Sequence, residues 1–314
     1  LLKKISPLNK KNMSLSLQSA PPPIPGATSM TLDIRQTILL HQQDVMQGTK
    51  FLDQSHTRYV LSQDIVFDPQ VAHDPSTFVL GFFAAFAITG THIELDLNGF
   101  TLRQSERHRK QQRFFSLIEL GNSPFETTQG PANFGTLIAA SHVKVHNGVL
   151  GLSSHHGIHG NRNAHVLIEN LRIRDFEVAG LHFNNPLDLT IQHCQIGPSN
   201  ISVPVRGRFS AGTFILPILQ SMDSSKTLSR QDGSSVTVAT TITNLQDAMA
   251  NNPIFANSSG LNDGTVYGIV INQRGVAVHD FAQRTHAHPA DNVTIVNTCI
   301  EHLHAAPQQI VGIE

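Results

Sequence analysis

Tryptophan is absent from this chain, only two cysteines and two tyrosines occur in 314 residues, and charged residues make up only 14%. Ordinary soluble domains carry roughly 25% charged residues, so the polar surface must be built from Asn, Gln, Ser, Thr and the 18 histidines. Two cysteines exclude a disulfide-rich scaffold, and Cys194 and Cys299 each sit in a strand-like run where a buried free thiol is expected. No apolar run approaches the roughly 20 residues of a membrane helix; the nearest, Phe78 to Ile88, reads as a core strand. With 22 basic against 23 acidic residues, no long-range field favours nucleic acid, and neither a nucleic-acid partner nor membrane insertion is expected.

What is present is periodic. HVKVHNGVLG from His142, HVLIENLRIR from His165 and DLTIQHCQIG from Asp188 begin 23 residues apart. That register stacks Val143, Val166 and Leu189, then Val145, Ile168 and Ile191, then Leu150, Ile173 and Ile196. Inward apolar positions repeated from rung to rung are what a parallel β-solenoid core requires. Gly157-Ile158-His159-Gly160-Asn161 and Gly180-Leu181-His182-Phe183-Asn184 repeat the second half of the rung, and Gly268 to Asn272 supplies a third copy. The fold class is therefore all-β, a right-handed parallel β-helix of about 23 residues per rung with loop and helix insertions.

The organisation read from composition has four parts. Residues 1–29 form a basic, Pro-rich disordered tail and 30–58 an N-terminal cap. The β-helix occupies 59–314, and its insertions fall at about 103–136 and 200–265. The run Arg103 to Arg113 reads as a mobile basic loop, and TNLQDAMANN as an amphipathic helix. Gly312-Ile313 starts a half-rung at the last residues, so the solenoid reads as cut in mid-rung, with either a following segment missing or an unusual cap, and position 1 is not Met.

ITGTHIELDLNGFTL and SSHHGIHGNRNAHVLIENLRIRDFEVAGLHFNN resemble the pectin-lyase-like superfamily of right-handed β-helices, and LGFFAAFAI, LDLNGFTL, QGPANFG and SSHHGIHGN carry a narrower similarity. Within it they are most similar to uncharacterised β-helix proteins of large DNA viruses and microbes. The resemblance spans about 59–200 and resumes at 265–314. It implies a polysaccharide or glycan partner, since lyases, polygalacturonases, epimerases and phage tailspikes share the fold. The motifs of those enzymes are missing. No Asp pair or triplet lies in the repeats, Gly157-Ile158-His159-Gly160 interrupts the Gly-His-Gly turn of polygalacturonases, and Asp74-Pro75-Ser76 does not complete an epimerase motif.

Candidate residues each have a bland counterpart. If Ile158 and Leu181 face inward, alternation turns His159 and His182 outward on adjacent rungs, roughly 4.8 Å apart. They read as a pair that shares a metal or relays a proton, or as a polar ladder, the reading preferred here. His155 and His156, candidate substrate contacts, fall in the turn before the strand, and H-H-x-x-H lacks the helical setting and Glu of a zinc-protease motif. Asn161, Arg162, Asn184 and Asn185 are candidate glycan contacts; an asparagine ladder satisfying turn backbone is the alternative. Arg172 and Arg174 flank Ile173 and face outward, as a carboxylate clamp or lyase base or as solvated surface charge.

The candidate catalytic set is thus Arg172, Arg174, His159 and His182, with no metal and no cofactor expected. A non-catalytic structural or polysaccharide-binding protein of virion, fibre or cell-surface type accounts for the missing carboxylates. The alternative is a carbohydrate-active enzyme, a polysaccharide lyase rather than a hydrolase, acting on an acidic glycan. Homotrimeric or virion assembly and an extracellular or virion-surface location go with the first reading.

Overall fold

The computed structural model of the chain describes residues 29–69, 82–109, 115–127, 135–199, 216–229, 234–251, 266–272, 290–301, 303 and 310–313. The expected tail, much of the 200–265 insertion and part of the basic run lie outside the described residues.

The first half holds strands β1 (Gln36–Leu40), β2 (Lys50–Leu52), β3 (Thr57–Leu61), β4 (Ile65–Phe67), β5 (Ala84–Ile88), β6 (Thr91–Asp96), β7 (Thr101–Gln104), β8 (Ser116–Glu119), β9 (Ser141–Leu150) and β10 (His156–Asn161). It is followed by β11 (Ala164–Ile173), β12 (Ala179–Asn184), β13 (Leu187–Gln192), β14 (Gln195–Ile196), β15 (Thr227–Ser229), β16 (Ser235–Thr237), β17 (Val266–Asn272), β18 (Asp291–Val296), β19 (Cys299–Ile300) and β20 (Ile310–Ile313). Sheet A runs β1-β3-β6-β9-β11-β13-β18, and sheet B runs β2-β5-β8-β10-β12-β17-β20. Every pairing along both paths is parallel. A third parallel run joins β4, β7, the ends of β9 and β11, β14 and β19. The chain is an all-β parallel solenoid.

Strand registers place Val166 opposite both Val143 and Leu189, Ile168 opposite Val145 and Ile191, and Ile173 opposite Leu150 and Ile196. All nine side chains are buried in one continuous core that also holds Tyr59, Phe86, Leu95, Ile158, Leu181 and Ile269. Outside this central stretch the spacing widens, with Ile93 opposite Val143, Leu181 opposite Ile269 and Leu189 opposite Val293. One rung length does not describe the whole chain, because insertions lengthen individual turns.

The corners explain the abundance of His and Asn. His92, His142, His165, Asp188 and Asn292 open successive sheet A strands with φ between 52 and 55°. Asn98, Asn147, Asn170, His193 and Asn297 make the bend toward the third run with φ between 48 and 60°. Left-handed backbone is sparsely allowed for L-residues, and Asn, Asp and His are the side chains that tolerate it best. At the first corner the rings of His56, His92 and His142 stack, with centroids 4.9 and 4.6 Å apart, and the His165 ring lies tilted 4.5 Å from His142.

Three expectations about segments require correction. The stretch 30–58 is more than a cap, because β1 and β2 already pair within the two sheets. The 103–136 segment supplies the end of β7 and all of β8 to the solenoid. Its basic start is anchored rather than loose. Helix α1 (Glu106–Arg109) buries His108 against Gln104, and Arg109 reaches Glu177 at 2.8 Å. Burying a guanidinium this completely demands such a partner. Between 216 and 251 lie α2 (Leu216–Ser221), the antiparallel hairpin β15–β16 and α3 (Val238–Asn251), the last covering the expected amphipathic helix. Cys194 is buried, and burial pushes its thiol up to about 11, whereas Cys299 is exposed rather than buried.

Candidate functional site

Sheet B does not alternate simply at the start of its strands. In β8, Leu117 and the following Ile118 both lie in the core, and in β10 Gly157 and Ile158 take the same two inward places. A Cβ at Gly157 would stand 2.8 Å from Ile173 Cγ2 and 2.5 Å from the Gly180 carbonyl oxygen, so only glycine fits. Gly180 repeats this, with its Cβ position 2.7 Å from Ile196 Cγ2. Two consecutive inward residues put the positions on either side of them onto the same outer face. Ser116 and Glu119 therefore meet on β8, and His156 and His159 on β10.

Register completes the cluster by placing Glu119 beside His159 and His159 beside His182. Both Glu119 oxygens lie 2.9 Å from His159 Nδ1, and the Ser116 hydroxyl donates to Glu119 at 3.0 Å. The rings of His156 and His159 stack at 5.2 Å, and His182 stands edge-on to both. His156 Nε2 is 3.2 Å from His182 Nδ1. On the far side His182 Nε2 meets Asn184 Oδ1 and Asn272 Nδ2, each at 3.2 Å. His156 and His159 are almost fully buried, while His182 is half-buried. Burial pushes the Glu119 carboxyl well above the usual carboxylate range, partly opposed by the Ser116 hydrogen bond. One ligand nitrogen from each of the three histidines falls within 4.8 Å of the other two.

The residues expected to act together divide into groups. His159 and His182 are neighbours as expected, but His159 is buried rather than solvent-facing, because the outer face of sheet B is covered here. His156 lies inside β10 rather than in the preceding turn, and His155 packs its ring against it at 4.0 Å. Asn161 and Asn184 do form a ladder, with Asn184 Nδ2 donating to Asn161 Oδ1 at 2.8 Å and Asn161 donating to the Pro124 carbonyl. Asn185 is a left-handed corner whose N–H donates to the Asn272 carbonyl. Arg162 binds the buried Glu126 at 2.9 Å and so pins the 122–127 loop. Arg172 and Arg174 are exposed on β11 and just past its end, in sheet A, while His159 and His182 belong to sheet B. The four candidate catalytic residues therefore do not share one face. Ser116 and Glu119 were hidden in the apolar run FFSLIEL, where a lone Glu in a core strand was the available signal.

A second polar region crosses sheet A. Arg58, Glu94 and Lys144 occupy one register row, and Asp96, His146, Glu169 and Gln192 the next. Arg58 Nη2 is 2.6 Å from Asp96, and His146 Nε2 lies 2.9 Å from Glu94 Oε1. Lys144 and Gln192 hold the two oxygens of Glu169 at 2.6 and 2.8 Å. The His146 hydrogen bond holds Glu94 below its ordinary value. Burial alone would raise Asp96 and Glu169, but Arg58 and the Asn98 N–H for the first, and Lys144 and Gln192 for the second, outweigh it.

No family model matches the chain, and no curated protein matches it. No described helix is long and apolar enough to cross a membrane. A solved structure described as a 1,3-alpha-1,4-beta-D-galactose-4-sulfate-3,6-anhydro-D-galactose-2-sulfate 4 galactohydrolase is similar over 88% of this chain and 81% of its own length. The identity is 10% and the TM-score 0.31, so the assignment as a parallel solenoid rests on the strand registers themselves.

Proposed function

We propose that this protein is a glycan-binding solenoid, non-catalytic and of virion, fibre or cell-surface type, with the outer face of sheet A as its contact surface. The observation that carries the reading is the unbroken polar stripe from Arg58 through Glu94, Asp96, Lys144, His146 and Glu169 to Gln192. Five neighbouring strands at roughly 4.8 Å spacing extend it over about 19 Å, the footprint of an extended chain rather than of a single small molecule. Sugar hydroxyls both donate and accept, so the half-buried Arg58, Glu94, Lys144 and Glu169 can satisfy them, with Asp96, His146 and Gln192 buried behind them as supports.

Charge selects the class of glycan. The two fixed cations, Arg58 and Lys144, are offset by three carboxylates, which leaves nothing to attract a uronate or sulfate. A neutral polysaccharide fits better. Hydrolysis needs one carboxyl held protonated as general acid, whereas Glu94, Asp96 and Glu169 are all held ionised, which favours binding over turnover. Right-handed coiling and a basic rung of 23 residues belong to the same reading, since parallel crossovers are right-handed in about 98% of cases. So do homotrimeric or virion assembly and an extracellular location.

A lyase acting on an acidic glycan is the second reading. It is favoured by Arg172 and Arg174, side by side, exposed, and held by no ion pair among the described residues. A panel of neutral and acidic polysaccharides separates the two. Neutral-glycan binding that drops about tenfold or more in Glu169→Gln, the cost of one charged hydrogen bond, supports the first. Binding only to acidic glycans, lost in Arg172→Ala and Arg174→Ala, with ultraviolet-absorbing unsaturated products, overturns it.

A further inference from the structure

We infer that His156, His159 and His182 form a binding site for a divalent transition-metal ion, zinc by preference, on the outer face of sheet B. This site lies on the other sheet from the proposed glycan surface and does not depend on it. Three imidazoles from two adjacent strands converge, with His156 Nε2 and His182 Nδ1 3.2 Å apart and a nitrogen of each histidine within 4.8 Å of the others. A tetrahedral ion with Zn–N bonds of about 2.05 Å holds its nitrogens about 3.3 Å apart, so one pair already has the spacing and the third ring needs a small rotation.

The surroundings prepare the nitrogens for that role. Both Glu119 oxygens face His159 Nδ1 at 2.9 Å, and Glu119 is itself seated by Ser116, so Nε2 is the nitrogen of His159 turned away from the carboxyl group. A carboxylate behind a ligating imidazole is the arrangement that orients metal-bound histidines and raises their basicity. His182 Nδ1 is the nitrogen that faces His156, while its Nε2 sits between Asn184 Oδ1 and Asn272 Nδ2. Asn184 is in turn bonded to Asn161, so the orienting amide is fixed by the rung below. A purely structural polar ladder has no need to bring three imidazoles and a buried carboxylate to one point. All-imidazole donors suit zinc, copper or nickel rather than calcium, and three protein ligands leave the fourth position to water or to a ligand oxygen.

The test uses the full chain, stripped with chelator and titrated with Co²⁺ and Zn²⁺, with circular dichroism as the check on folding. The expected result is one equivalent of Co²⁺ giving the visible absorption of tetrahedral coordination, displaced by Zn²⁺. His182→Asn, at the half-buried and so least structural ligand, should abolish the signal while the dichroism is retained. Glu119→Gln should weaken binding about 10- to 100-fold without changing the stoichiometry. A folded wild-type chain that gives no tetrahedral Co²⁺ signal overturns the inference. So does a signal equal in wild type and His182→Asn, since the ion then sits elsewhere among the 18 histidines.

Discussion

The two outer faces of the solenoid share strands of the same chain, the same parallel registers and the same core, yet they carry opposite chemistry. On sheet A the polar side chains are largely charged, some half-buried (Arg58, Glu94, Lys144, Glu169) and some buried (Asp96, His146, Gln192), and they neutralise one another across neighbouring rungs, as Arg58 does Asp96 and Lys144 does Glu169. On sheet B they are buried imidazoles, amides and a single carboxylate. The difference originates in how each strand enters its sheet. Sheet A strands place Val143 and Val145 inward with Lys144 between them, so outward residues come two apart. Sheet B strands begin with two inward residues in succession, which brings residues three apart, His156 and His159, onto one crowded patch. Backbone phase thus decides whether the outer polar groups stand apart or converge.

The most damaging way to break this contrast is Gly157→Ala. The added methyl would meet the Gly180 carbonyl, a backbone atom that cannot swing aside, at 2.5 Å. Overpacking of this kind typically costs about 1–3 kcal/mol, and the upper end is expected here. A denaturant midpoint unchanged from wild type would show that sheet B does not need its two-inward step.

Acid sharpens the comparison next. Glu94, Asp96 and Glu169 have folded values below their unfolded ones, so the folded state binds fewer protons in acid. Their stabilisation is complete above the ordinary carboxylate range and is lost as pH falls through the lowered values. His142, lowered by burial and by its stacked neighbours His165 and His92, has the same sign but acts earlier, as pH drops through the ordinary histidine range. Unfolding free energy followed from pH 7 downward, an arbitrary neutral start at about the sequence pI of 7.1, should therefore lose these contributions in two stages, while Glu119, raised by burial, acts with the opposite sign. Glu94→Gln with Asp96→Asn should flatten the second stage and leave the first. Identical acid limbs in variant and wild type would remove sheet A electrostatics from the account.

The smallest effect concerns the corner at which sheet A bends toward the third run. Asn170 has φ 51° and donates to Asn147 across one rung. Asn170→Ala should cost about 1 kcal/mol, the penalty of left-handed backbone for a residue with a Cβ and no compensating bond. Asn170→Gly, which accepts that backbone freely, should recover part of it in the same unfolding measurement.

Much of the solenoid is legible without coordinates because its inward ladder is written in residue type. Val143, Val166 and Leu189 repeat with a spacing that the registers reproduce. His142, His165 and Asp188 mark the start of those rungs, and each proves to be a left-handed corner. The histidine cluster was only half legible. Strict alternation pairs His159 with His182 but sends His156 inward, and it offers no reason to connect Glu119, 40 residues earlier, with either. Likewise Glu94 and His146 are 52 residues apart, so their pairing is invisible to any search for motifs along the chain.

Periodicity in the amino-acid sequence by itself determined that the protein is a parallel solenoid, which residues line its core and which side chains turn its corners. Those properties follow from burial and backbone preference, which act residue by residue. Only the tertiary structure decided which polar residues meet. Insertions change the distance between rungs, and a single extra inward residue shifts the phase of everything beyond it. The company kept by His156, His159, His182 and Glu119 therefore depends on strand register and local backbone twist, neither of which is encoded in residue type alone.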